Sequence, residues 1–139
     1  MRNKYNAKRT TRTVAGEVYH FDSMAEARYF DKLMILANGG KVSQLKLQPC
    51  YVIAKAYRID TTKTKSGKSK VGELKYTPDF EYIDSNGDRV VVEVKGYADT
   101  SYNLRKKLFL SIAWKEYRIA KFVEVIKGEE HTYDCRSVE

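Results

Sequence analysis

Hydrophobic and polar positions are arranged most tellingly between residues 76 and 97. A first run, through Phe80, Tyr82 and Ile83, follows Pro78-Asp79; a second is the dense series Val90, Val91, Val92 and Val94. Asn86-Gly87 lies between them and predicts a tight hairpin turn. The β-branched series predicts a strand covered on both faces. Before this hairpin, residues 14–21 read as a short hairpin turning at Ala15-Gly16. A helix then starts at Ser23, with Glu26, Phe30, Leu33 and Ala37 as its inward stripe and Asn38-Gly39-Gly40 as its stop. Residues 42–57 read as one or two strands, with Gln48-Pro49 as an edge, bulge or break. After Gly96 a helix is predicted over about 101–117. Leu104, Leu108 and Ile112 form its inner stripe, with Phe109 and Ala113 beside it. Leu110 and Trp114 form a second stripe, to be covered either by a subunit or by a loop. A strand over 121–126, a turn at Gly128-Glu129 and a strand over 130–135 complete the order. The pattern predicts one α/β domain over 14–139, with a mixed central sheet flanked by helices.

Composition adds a partner to this picture. The chain has 139 residues, 42% of them hydrophobic, enough for one domain with a real core. Its net charge of +8 points first to nucleic acid and second to an acidic membrane surface. No apolar run approaches transmembrane length and the first residues lack a signal-peptide core, so a cytoplasmic protein is expected. Residues 1–13 carry Arg2, Lys4, Lys8, Arg9 and Arg12 without an acid and read as a basic arm. Residues 60–72 alternate Lys63, Lys65, Lys68 and Lys70 with small polar residues. That composition builds no core and predicts a flexible loop, either idle or lying along phosphates. Cys50 and Cys135 have no metal-ligand spacing, and His20 and His131 are isolated, which argues against a zinc site.

Candidate chemistry lies where charge interrupts the valine run. Glu93 and Lys95 share one face of their strand, since side chains alternate with a period of two. Charges inside such a strand need a partner or a metal. With Asp79 on the neighbouring strand they outline a divalent-cation site, Mg²⁺ or Mn²⁺, to which the backbone carbonyl of Val94 adds a ligand. Register tests this. A two-residue Asn86-Gly87 loop would set Asp79 opposite Val94, so a shared site requires a bulge or an odd-length loop. Glu26 has two readings, a capping-box residue for Ser23 or a carboxylate reaching the metal directly or through water. Gln48 is either a turn residue or a site residue. Arg105, Lys106 and Lys107, early in the second helix, would grip a phosphate close to the metal, and Arg9 and Arg12 would do so from the arm.

Pro78-Asp79 with Glu93-Val94-Lys95, and the helix-borne Glu26, resemble the signature of the PD-(D/E)XK nuclease superfamily. Phe21-Asp22-Ser23, Leu47-Gln48-Pro49, Tyr76 to Phe80 and Val91 to Gly96 resemble a family of small phage-encoded endonucleases within it. The likeness runs from about residue 5 to residue 125. It implies a restriction-endonuclease-like core, no organic cofactor, and a phage origin with action in the host cytoplasm. Members of similar size include Holliday junction resolvases, which act as homodimers on branched DNA. The activity expected is a metal-dependent, structure-selective DNA endonuclease. The alternative is a non-catalytic DNA-binding accessory protein of phage recombination or replication, and nothing in the tyrosine pattern separates DNA from RNA.

Overall fold

The computed structural model describes residues 9–139; Arg2, Lys4 and Lys8 of the expected arm lie outside the described residues. The chain opens with β1 (Thr10–Val14) and β2 (Glu17–Phe21), antiparallel around Ala15 and Gly16. Both turn residues have positive φ, 52° and 83°, the conformation that suits a two-residue hairpin turn. The arm expected to reach residue 13 therefore ends sooner. Thr10 to Thr13 are ladder residues, and β-branched threonines favour that state.

Helix α1 (Met24–Asn38) starts where Ser23 accepts the Glu26 N–H at 3.1 Å, and Gly39 caps its end. Strand β3 (Val42–Leu47) follows. Gln48, at φ 50°, and Pro49 then turn the chain out of the central sheet. Beyond them, β4 (Tyr51–Ala54), β5 (Tyr57–Asp60), β6 (Lys68–Val71) and β7 (Leu74–Tyr76) form two small antiparallel pairs, β4 with β7 and β5 with β6. The expected flexible loop over 60–72 is thus partly strand, at Asp60 and over Lys68–Val71. A two-stranded ladder needs only backbone partners, and its polar side chains stay in water. The chain returns through β8 (Phe80–Asp84), β9 (Arg89–Lys95), α2 (Thr100–Tyr117), β10 (Ile119–Ile126) and β11 (Glu129–Asp134), and ends in a short 3₁₀ turn, Cys135–Ser137.

The central sheet has the order β11-β10-β9-β8-β3 and is mixed: β9 and β10 run parallel with α2 as their crossover, and the other pairs are antiparallel. This is the single α/β domain that the hydrophobic pattern predicted. Each face of the sheet has its own core. Phe30, Leu33 and Ala27 of α1 pack with Phe80, Val90 and Val92 on one face. On the other, Phe109, Ala113 and Tyr102 of α2 pack with Val91, Phe122 and Tyr76. The valines of β9 alternate between the two, and burying each is worth about 1.5–3 kcal/mol.

Helix α2 has the predicted extent but a different roll. Leu104 is 56% exposed, Leu108 and Ile112 are half-buried, and the buried residues are Tyr102, Phe109 and Ala113. The inward line also contains Lys106, because a buried carboxylate, Glu124 of β10, waits on the sheet. Leu110 and Trp114 are half-buried against the same core, and the Arg118 guanidinium lies 5.1 Å from the Trp114 ring. No helix among the described residues is long and apolar enough to cross a membrane.

Candidate metal and nucleic-acid site

The hairpin register decides whether the candidate residues meet. Phe80 pairs with Val92 and Ile83 with Arg89. At the turn, the Asp84 N–H donates to the Asp88 carbonyl (2.9 Å) and the Gly87 N–H to the Asp84 carbonyl (3.0 Å). The loop is therefore Ser85-Asn86-Gly87, three residues, with Gly87 at φ 83° supplying the left-handed position. An odd-length loop was required, and its effect is to bring Asp79 level with Glu93.

Asp79 Oδ2 accepts the Val94 N–H at 2.7 Å, and its carboxyl lies beside that of Glu93, with which it interacts electrostatically. Glu93 is 3% exposed. Its Oε1 accepts the Tyr76 hydroxyl at 3.0 Å and lies 3.9 Å from Lys95 Nζ. Burial, and next the charge of Asp79, push the Glu93 carboxyl up to about 10, against the opposing pull of Lys95 and Tyr76. Burial also raises Asp79. Lys95 Nζ rests 5.0 Å over the Tyr102 ring. Glu26, buried at the head of α1, is pushed up to about 8 by burial and then by Asp79 and Asp22, while its carboxyl accepts the Asp22 amide. Glu26 therefore satisfies a backbone group at the helix start and also faces the site electrostatically.

Among the described residues, no group of three or more His, Cys, Asp or Glu side chains is drawn together as a metal cage. The structure gathers a pair, Asp79 with Glu93, and brings Glu26 within electrostatic reach of Asp79 and Lys95. The donor chemistry suits a hard divalent cation. Two neighbouring carboxyls in a buried place must hold a proton or a cation between them, and Mg²⁺ takes one or two carboxylates while keeping its other positions for water and phosphate. Val94 contributes its amide to holding Asp79.

The expected phosphate contacts divide. Gln48 donates its backbone N–H to the Asp79 carbonyl at 2.8 Å, so the left-handed bend that ends β3 is tied to the site. Arg105 donates to the Lys75 carbonyl and to Ser101 Oγ; with Tyr76, Thr77, Glu93, Lys95 and Tyr102 it lines a polar depression of about 300 Å³. Arg9 and Lys107 are exposed. Two expectations need correction. Lys106 is bound to Glu124 at 2.9 Å and packs over the Tyr102 and Tyr133 rings, so its charge is spent inside the protein. Arg12 is paired with Asp31 of α1 at 2.8 Å and fastens the first hairpin to that helix. Lys63, Lys65 and Lys70 are exposed on or beside the β5–β6 hairpin, where Lys68 is paired with Asp60 at 2.8 Å.

Sequence reasoning passed over two buried networks on the α2 face. Glu124, in register with Glu93 on β10, is held by Tyr102, Lys106 and Tyr133. Burial raises its carboxyl, but these three partners together hold it below the usual range. Glu81 on β8 is held by Tyr51, Arg89 and Lys46. The signal for Glu124 was present, since it interrupts the apolar run of β10 as Glu93 interrupts that of β9.

Compared with known proteins, residues 2–130 match the family model DUF1064, whose description is "Protein of unknown function". No curated protein matches the chain. Among solved structures, SSO0001 is similar at 14% identity with a TM-score of 0.37, over 79% of this chain and 49% of that one. The chain thus spans about half the length of that protein.

Proposed function

The chain belongs to the DUF1064 family, and for this member we propose metal-dependent hydrolysis of DNA phosphodiester bonds, selective for branched DNA. One observation carries the reading: a buried Asp79–Glu93 carboxyl pair, level across the hairpin and beside Lys95, at the carboxyl end of β9 in a parallel strand pair. The resemblance of these residues to the PD-(D/E)XK signature supports it. Asp79, Glu93 and the Val94 carbonyl would hold Mg²⁺ or Mn²⁺. Bound there, the ion supplies a Lewis acid for a phosphoryl oxygen and an acidified water. Lys95 orients that water, or neutralises the charge growing on the phosphate. Tyr76 fixes the rotamer of Glu93, and Glu26 would contact the metal directly or through water. Arg105 and Lys107, with Gln48 and Arg9, address neighbouring phosphates, and Lys63, Lys65 and Lys70 reach phosphates further along. Resolving a junction requires two such sites, so a homodimer is part of the proposal.

A second reading, a DNA-binding protein without catalysis, is favoured by the pairwise rather than three-ligand carboxylate cluster. The test is cleavage of a labelled four-way junction and of its linear duplex in Mg²⁺ or Mn²⁺, with wild type and Asp79→Asn. Junction-selective cutting that the substitution abolishes is the expected result. Binding without cutting in either metal would establish the second reading instead.

A further inference from the structure

A second depression adjoins the first and shares Lys95 with it. It has a volume of about 410 Å³ and lies between the start of α1 and the ends of β9 and β10. Its floor is apolar, made by Tyr29, Val94 and Val125. Its rim is cationic, with Arg28 and Lys32 from α1 and Lys127 from the β10–β11 turn, besides Lys95. Two of these cations have a carboxylate partner: Lys32 Nζ lies 3.5 Å from Glu130, and Lys95 Nζ lies 3.9 Å from Glu93 on the side of the first depression. Among the described residues, Arg28 and Lys127 have no acidic partner. The rim is built rather than incidental: Lys127, at φ 51°, donates its N–H to the Lys95 carbonyl at 3.2 Å, tying the turn to the end of the strand that carries the carboxylates.

We infer that this depression takes one unpaired nucleotide of the substrate strand, with its base on the Tyr29–Val94–Val125 floor and its phosphate on Arg28 and Lys127. The inference deepens the nuclease reading and rests on it for the identity of the strand as DNA. An apolar hollow is useless to a base stacked inside a duplex, whereas an unpaired base gains from leaving water for an apolar or aromatic wall. The volume falls within the range of small-ligand sites. Lys32 Nζ now lies 5.1 Å over the Tyr29 ring, where a base would stack. Its long exposed stem lets it swing onto the incoming phosphate. Because Lys95 borders both depressions, a base held here sets the adjoining phosphate beside Glu93 and Asp79. Selectivity for branched DNA then has a local cause: a regular duplex has no unpaired base to offer.

The experiment measures binding in EDTA, so that cleavage plays no part. Probes are a blunt duplex and the same duplex with a single-stranded flap carrying 2-aminopurine at its first unpaired position. The variants are Arg28→Glu with Lys127→Glu, both at exposed positions, with melting curves to verify folding. For wild type, tighter binding of the flap and a change in 2-aminopurine emission are expected. The double variant, having lost both phosphate contacts of the pocket, should fall about tenfold in flap affinity and much less for the duplex. Equal losses on both probes, or unchanged emission with wild type, would overturn the inference. Flap preference without any cutting in Mg²⁺ would keep the pocket and reject the nuclease, whereas cutting without flap preference would do the reverse.

Discussion

At the scale of the residue, Glu93 occupies a position that an apolar side chain would fill more stably. Its carboxyl is held up to about 10 and that of Glu26 up to about 8, in both cases chiefly by burial. The sign of the pH dependence follows. Between the ordinary carboxyl range and these raised values, the folded protein binds more protons than the unfolded chain. The stabilisation from keeping these groups neutral is complete below about pH 4.5 and is lost as pH rises through 8 and on towards 10. Metal-free wild type should therefore melt at falling temperature as pH is raised over that window. Glu93→Gln should flatten the curve and at pH 8 melt higher, by about 3 °C for each kcal/mol recovered. Added Mg²⁺ should raise the Tm of wild type and leave that of the variant unchanged. A variant that melts below wild type at pH 8 in EDTA would show that Glu93 is a structural group. On the proposed function, glutamate is kept here although it costs stability, as functional carboxylates commonly are.

At the scale of the element, α2 separates what a sequence discloses from what it withholds. Its extent was legible from hydropathy; the cap, Asp99 accepting the Tyr102 N–H at 2.8 Å, is a finding of the structure. Its roll was not. Leucines drew the predicted stripe to Leu104, whereas the helix turns inward the residues that can serve Glu124, namely Tyr102 and Lys106. A polar partner on another strand has no signature within the helix itself. The same limit explains the β5–β6 hairpin, whose ladder is made of backbone groups that composition does not report. Gln48 was a bare suspicion, because a bend tied to Asp79 through main-chain atoms leaves little mark on side-chain identity. By contrast Asp79, Glu93 and Lys95 were readable, since charge in a buried strand violates a strong rule and register arithmetic checks the pairing. The corrected role of Lys106 is measurable. Lys106→Ala strands Glu124 in the interior and should cost about 3 kcal/mol in urea unfolding. Lys107→Ala, one residue away and exposed, should stay within about 0.5 kcal/mol. Equal effects would return Lys106 to the surface role first expected for it.

At the scale of the whole molecule, the sheet divides the apolar interior in two, and β9, like β10, has buried residues in both halves. It is also flanked on either side, by β8 and β10, so its backbone has no free edge. The order in which parts of the protein come loose follows from this arrangement. The first hairpin and the β5–β6 pair can detach while both cores stay shut, but β9 is released only when both open. Native-state amide hydrogen exchange should therefore find the slowest amides at Val91, Val92 and Glu93, exchanging at the free energy of global unfolding, with those of β5 and β6 far faster. Protection at Glu93 no greater than in the small hairpins would contradict this. A carboxylate that burial strongly disfavours is thus carried by one of the two strands held in both cores. While the protein is folded at all, Glu93 has no partly opened form in which to relax. The depression that Glu93 lines together with Lys95 is where water and protons would meet it.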